Sequence, residues 1–197
     1  MTTTKKSRGR PSGFDKEKAL ETAQQLFHAR GFDAVGVAEL SDAMGVQPPS
    51  LYAAFGNKAS LFAKAVERYS ATDGGFMEEA LRGAPTVAKG LERLLVAAAE
   101  QYSAEDETLG CLVMENTRCT SDTNAKKLCL SKYAATQDWI RSYLDKANPN
   151  AADAISRQVM VALAGLSAAA RTGSGRQDLI GFAKTVSVAM NDALVLD

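Results

Sequence analysis

The stretch from Val37 to Phe55 constrains the fold more than any other part of the 197-residue chain. Val37, Leu40, Ala43 and Met44 recur at helical spacing and stop at Gly45, which can supply the positive-φ residue of a tight turn. Gln47-Pro48-Pro49-Ser50 then opens a second helix, since proline is tolerated in a first turn where its missing N–H would have no partner anyway. Leu51 and Phe55 anchor that helix inward. Two helices this short need flanking partners to make a core, and the sequence provides them. Asp15 caps a helix carrying Ala19, Leu20, Ala23, Leu26 and Phe27 on one face, which Gly31 stops. After the break at Gly56, Asn57 caps a further helix with Leu61, Phe62, Ala65, Val66 and Tyr69 along one side.

The same periodicity continues to the C-terminus. Gly74-Gly75 and Gly83-Ala84-Pro85 bracket a short piece, so a boundary is expected after Ser70, which the long fourth helix can bridge. Beyond it the spacing predicts helices over 86–103, about 111–118, 122–146, 151–172 and 176–196. Glu105-Asp106-Glu107 reads as a loop, Asn148-Pro149-Asn150 as a helix end, and Gly173-Ser174-Gly175 as a break. With no strand alternation anywhere, the expected fold class is all-α, divided into a basic arm (1–13), a helix-turn-helix domain (14–70) and a larger helical domain (71–197).

Composition narrows the function. Hydrophobic residues make up 46% and charged residues 23%, and no apolar run approaches the roughly 20 residues that cross a bilayer. Met1 to Arg10 lacks the apolar core of a signal peptide, so a cytoplasmic protein without membrane contact is expected. Cys111, Cys119 and Cys129 form no C-x-x-C pair, and His28 is the single histidine; no metal site and no cofactor are expected. Paired catalytic carboxylates, Cys-His or Ser-His-Asp arrangements and phosphate-binding glycine loops are equally missing, so the chain does not read as an enzyme. Charge is distributed unevenly. Residues 1–70 hold 10 Lys and Arg against 7 Asp and Glu, a net of +3, and residues 71–197 hold 13 against 16, a net of −3. The basic end is where a polyanion would sit.

A short helix, a glycine turn and a second helix with a small, polar start make a helix-turn-helix, in which the second helix enters a DNA major groove. Side chains near its N-terminus are then the ones that reach base edges. Gln47 and Ser50 can hydrogen-bond to bases, Pro48 and Pro49 can touch a thymine methyl, and Tyr52 and Lys58 are suited to phosphates. Periodicity alone leaves open three helices that pack together and bind nothing.

The run Phe14-Asp15, Ala19-Leu20, Ala23, Leu26-Phe27, Gly31-Phe32, Val37, Leu40, Met44-Gly45-Val46, Ser50-Leu51-Tyr52, Phe55-Gly56-Asn57-Lys58 and Leu61-Phe62 resembles the N-terminal domain of the TetR family. The resemblance implies a three-helix DNA-binding head, a helical body that binds a small effector molecule, and a homodimer on a double-stranded, palindromic operator, repressing transcription until the effector binds. It implies DNA contacts at Pro49, Ser50, Tyr52 and Lys58. At Gly36 the chain departs from the family, which often has Thr or Ser there, so the backbone N–H groups of Val37 and Ala38 are left to meet the phosphate. The resemblance also places the dimer contact on the last two helices, whose apolar faces carry Ile155, Val159, Leu163 and Leu166, and Leu179, Ala183, Val186 and Met190. In the arm, Arg8-Gly9-Arg10-Pro11 resembles the core of an AT-hook, which lays two arginines in a narrow minor groove; a solvated tail giving non-specific attraction is the alternative.

Two features of the body carry chemistry. Cys111 follows Gly110 at a helix start, with Arg118 about two turns on, so it reads either as a redox- or electrophile-sensing thiol resolved by Cys119 or Cys129, or as a small buried hydrophobe. Tyr102, Cys111, Met114, Tyr133, Trp139 and Tyr143 read either as the lining of an effector cavity or as plain core. His28 is expected to be exposed or packed beside the head, without a catalytic role.

Overall fold

The computed structural model describes residues 14–104 and 108–195, and among these all regular structure is helical. Helices α1 (Lys16–Arg30), α2 (Val37–Ala43), α3 (Pro48–Phe55) and α4 (Lys58–Ala71) make the N-terminal part. A 3-10 turn (Asp73–Gly75) leads into α5 (Phe76–Leu81), α6 (Val87–Tyr102), α7 (Leu112–Cys119), α8 (Thr123–Leu144), α9 (Pro149–Arg171) and α10 (Arg176–Val195). The arginines Arg8 and Arg10 lie outside the described residues.

The two predicted caps form: Asp15 accepts from Glu17 N and Lys18 N, and Asn57 from Ser60 N. Thr86 and Asp122 cap their helices too, accepting from Lys89 N and from Asn124 N and Ala125 N. Gly45 has φ +66°, as the turn between α2 and α3 requires. Two local expectations change. The Asn148-Pro149-Asn150 run begins a helix rather than ending one: α8 stops at Leu144, and Asn148 caps α9, accepting from Asn150 N and Ala151 N with Pro149 in the first turn. The piece between the glycine pairs is itself helical, as α5, with Leu81 buried.

The core of the head is aromatic. Phe62 meets Phe27 edge-on at 5.1 Å and Phe32 edge-on at 5.0 Å, and Leu40, Leu51, Leu61 and Val66 close around them fully buried. Arg68 pins α4 to α1, with Nε 3.0 Å from Glu17, Nη2 3.2 Å from Glu21 and Nη1 donating to Gln24 at 2.8 Å. In the body α6 is the central element, packed against α5, α9 and α10, while α8 and α9 lie side by side and α7 rests on α8.

Head and body meet through polar contacts, some of them buried, that no periodicity announces. Asn116 of α7 is 1% exposed; its Oδ1 accepts from Phe32 N at 2.9 Å and its Nδ2 donates to Leu112 O at 2.8 Å. Arg171 donates to His28 O at 2.7 Å, and Asp33 accepts from Thr120 Oγ1 at 3.1 Å and from Ser121 N at 2.6 Å. Of the two expectations for His28, exposed or packed beside the head, the structure shows the packed one. It is buried, its ring 5.2 Å from Tyr69 and its Nε2 3.0 Å from Gly110 O. Nε2 must carry a proton and donate to that carbonyl, and it is burial, against this bond, that favours the neutral imidazole. Burial pulls its pKa from 6.5 down to about 4, with Arg171 adding to the effect and the Gly110 bond and Asp73 opposing it.

Two outcomes follow from these contacts. Asn116→Ala leaves the Phe32 N–H buried without a partner and should cost about 1–3 kcal/mol in urea unfolding at pH 7.5; a change under about 0.5 kcal/mol would mean the seam does not depend on that amide. For His28 the unfolded chain takes up a proton below pH 6.5 and the folded chain does not until about pH 4. Stability is therefore undiminished above pH 6.5 and falls as the pH drops from 6.5 toward 4, by about 3 kcal/mol at most. Measured as the difference between wild type and His28→Gln across that range, the loss should disappear in the variant.

Candidate nucleic-acid interface and body cavity

Helix α3 is anchored from one side. Leu51 is fully buried and Phe55 nearly so, meeting Phe14 edge-on at 5.8 Å, which turns the opposite side of the helix to solvent. On that side stand Gln47, Pro49, Ser50, Ala53 and Tyr52, the last 46% exposed, with Pro48 half-buried behind them. The exposed stripe is the N-terminal, small and polar part of the helix, where a base-reading helix presents its side chains. Beside it, α2 starts at Gly36 without a side-chain cap, so its first N–H groups, including that of the half-buried Val37, have no intrahelical partner.

Lys58 departs from the expected arrangement. Its ammonium sits 4.2 Å from the centroid of Phe32 rather than beside the α3 stripe. Burial lowers its pKa, and Asp33 and Asp122 oppose that shift from the seam. A phosphate contact requires the side chain to leave Phe32.

In the body, one cavity of about 310 Å³ opens between α4, α5, α6, α7 and α8. It gathers five of the six residues singled out from the sequence: Tyr102, Cys111, Met114, Tyr133 and Trp139. Tyr143 is not among them. It faces an open groove with Leu81, Arg82, Trp139 and Lys146, and its hydroxyl occupies the space a Cβ would need on Gly90 of α6. That close approach, which only a glycine permits, turns Tyr143 into a helix-packing residue. Tyr69, Phe76, Met77 and Lys132 also line the cavity. Reading helix by helix missed them. Tyr69 closes the apolar face of α4 and Phe76-Met77 follow the Gly74-Gly75 pair, but nothing local aims them at Tyr102.

The thiol expectation loses its pieces. Arg118 is largely exposed and pairs with Glu115, not Cys111. Cys119 is exposed and hydrogen-bonds Glu115 Oε1 at 3.1 Å, an acidic neighbour that raises its pKa. Burial pushes Cys129 up to about 12. All three cysteines are free, and each candidate resolving thiol is held toward its unreactive neutral form.

The assignment of the last two helices' apolar faces to a dimer contact also needs correction. Ile155, Val159, Leu163 and Leu166 are buried within the chain, as are Leu179, Ala183 and Met190, with Val186 half-buried. Those faces pack on α6 and on one another, and Leu163 also lines the cavity. The apolar side chains that α9 and α10 leave outside are Val161, Phe182 and Val188, at 69%, 48% and 59% exposure.

Comparison with known proteins agrees with this geometry. The model of the bacterial regulatory proteins, tetR family, matches residues 19–65, the span from α1 into α4 that positions the exposed stripe. The HTH-type transcriptional repressor BdcR of Escherichia coli (strain K12) is 37% identical over 196 residues, which is 98% of this chain and 99% of BdcR. The HTH-type transcriptional repressor ComR of the same organism is 36% identical over 123 residues, 59% of this chain and 55% of ComR. Among solved structures, a cysteine-substituted form of the TetR family transcriptional regulator CifR, complexed with 26-bp double-strand operator DNA, superposes with a TM-score of 0.81 at 27% identity, covering 95% of this chain and 99% of that one. A head that fits the family model, on a chain alike to one relative along practically its whole length, leads to one assignment: this chain belongs to the TetR family of bacterial regulatory proteins.

Proposed function

We propose that the protein is a homodimeric transcriptional repressor that binds a palindromic operator and is released from it by a small molecule in the body cavity. The exposed start of α3 carries this reading: Gln47, Pro49, Ser50 and Tyr52 face solvent together on a helix that Leu51 and Phe55 fix from behind. BdcR and ComR are named as repressors, which favours repression over activation. In this reading Gln47 and Ser50 read base edges, Pro48 and Pro49 touch apolar groups, and Tyr52, the N–H groups at Val37 and Ala38, and a swung-out Lys58 take phosphates. Arg8 and Arg10 would follow the adjacent minor groove. The regulator works where the DNA is, in the cytoplasm.

Two copies are needed to read a palindrome, and the outward face of α9 and α10 suits a second copy. Val161, Phe182 and Val188 are apolar, and Gly165 and Gly181 on the same helices have open space beside them, which allows close helix approach. Release would run through α7. Its first turn lines the cavity with Val113 and Met114, and its second holds the head through Asn116 on Phe32 N. An occupant that shifts α7 therefore moves the head and changes the spacing of the two α3 helices. Losing one of two linked half-sites suffices for release.

The test uses the protein's own upstream DNA. Combined Gln47→Ala and Ser50→Ala should weaken binding about tenfold or more, and Tyr52→Phe about fivefold if its hydroxyl meets a phosphate, with circular dichroism unchanged. Binding equal to wild type in all variants would remove α3 as the reading helix. For assembly, Val161→Glu with Phe182→Glu should convert a dimer to a monomer in sedimentation and lower operator affinity by about 100-fold or more through loss of linkage. A variant that stays dimeric would place the contact elsewhere.

A further inference from the structure

The floor of the body cavity holds two hydroxyl donors that lack a good acceptor. Tyr69 and Tyr102 are 4% and 2% exposed, and both line the cavity beside Cys111. The polar side chain beside both phenols is the Cys111 thiol, and sulfur is a weak acceptor. Among the described residues neither hydroxyl donates to a protein oxygen. Buried hydroxyls are normally paired, so the pair calls for an acceptor from outside the chain. Burial first, and then the thiol, push both phenols well above their ordinary pKa, which keeps them protonated as donors.

The remaining lining sets the shape and charge of the occupant. Phe76, Tyr133 and Trp139 offer flat apolar surfaces, and a volume of about 310 Å³ lies at the small end for ligand cavities. Lys132 is half-buried and forms no ion pair among the described residues, while Glu78 is exposed and engaged by Arg82 at 3.0 Å. The floor's polar side chains are two phenols and a thiol. The two charged residues of the lining, Lys132 and Glu78, stand on its less buried side, so a charged group held at the buried phenols would give up its hydration to neutral partners.

We infer that the cavity takes a small, flat, uncharged molecule of one or two aromatic rings bearing a carbonyl oxygen, which accepts from the Tyr69 and Tyr102 hydroxyls while the rings lie against Phe76, Tyr133 and Trp139. This rests on the reading of the body as an effector-binding domain and adds the chemistry of the effector.

Matched pairs that differ only at the acceptor test it: acetophenone against α-methylstyrene, and 2-acetylnaphthalene against 2-isopropenylnaphthalene, titrated calorimetrically into the full-length protein, with benzoate as the anionic comparison. In at least one pair the ketone should bind about tenfold tighter than the hydrocarbon. Tyr102→Phe should weaken the ketone about fivefold and leave the hydrocarbon unchanged. Tyr69→Phe reports on the second hydroxyl and replaces Tyr102→Phe if a thermal melt shows that variant unfolded. Equal affinity within both pairs, no ketone binding, or tighter binding of benzoate would each overturn the assignment. Release of the upstream DNA is followed in parallel. Ketone binding that leaves the DNA complex intact upholds the site chemistry and counts against effector-driven release, so the two readings fail separately.

Discussion

At Gly110 four helices are tied through one backbone position. Its carbonyl accepts from His28 of α1, its N–H donates to Tyr102 O at the end of α6, and the next N–H, that of Cys111, donates to Ser167 Oγ of α9 at 2.8 Å. The residue sits at φ +77°, and a Cβ there would lie 2.9 Å from Ser167 O and from Arg171 Nε. Glycine is required on both counts, because a left-handed backbone and a full neighbourhood each exclude a side chain. Helix α7 starts from this corner and carries Asn116 onto Phe32 N. Buried donors and acceptors tolerate little displacement before they are lost, so the corner holds the orientation of the head as well as the position of α7.

The exposed side of α3 depends on the same economy of burial. Helix α3 has only eight residues, and its orientation comes from Leu51 and Phe55 held in the aromatic core around Phe62. Everything on its other side is free to be polar. Lys58 marks where head and seam share a residue: its ammonium rests on Phe32, next to Asp33, whose carboxylate holds Thr120 and Ser121 of the body. A change at the seam and a change at the start of α4 are therefore electrostatically linked.

The body divides its apolar residues between two tasks. The inner faces of α9 and α10 are consumed by packing on α6, leaving the small and apolar residues Val161, Gly165, Gly181, Phe182 and Val188 on the outside. The cavity forms where aromatic side chains from α4, α5, α6 and α8 meet the start of α7 without filling the space between them.

Much of this was legible in the residues. Periodicity with capping and breaking residues located the helices, because a cap such as Asp15 or Asn57 and a turn glycine such as Gly45 act within a few residues of themselves. The polar start of α3 was readable for the same reason. Contacts between distant segments were not. The residues left open whether His28 is exposed or packed beside the head, because the buried acceptor, Gly110, lies 82 positions away. An apolar stripe on α9 says that a partner exists but not whether it is α6 of the same chain or another copy, and Tyr143 and Tyr102 are alike in sequence although only one reaches the cavity. Sequence alone determined most of the helices, the caps at Asp15 and Asn57 and the polar start of α3, which follow from local backbone chemistry. Tertiary structure alone decided what each face buries and which side chains converge, because burial depends on the sum of neighbours that chain order does not reveal.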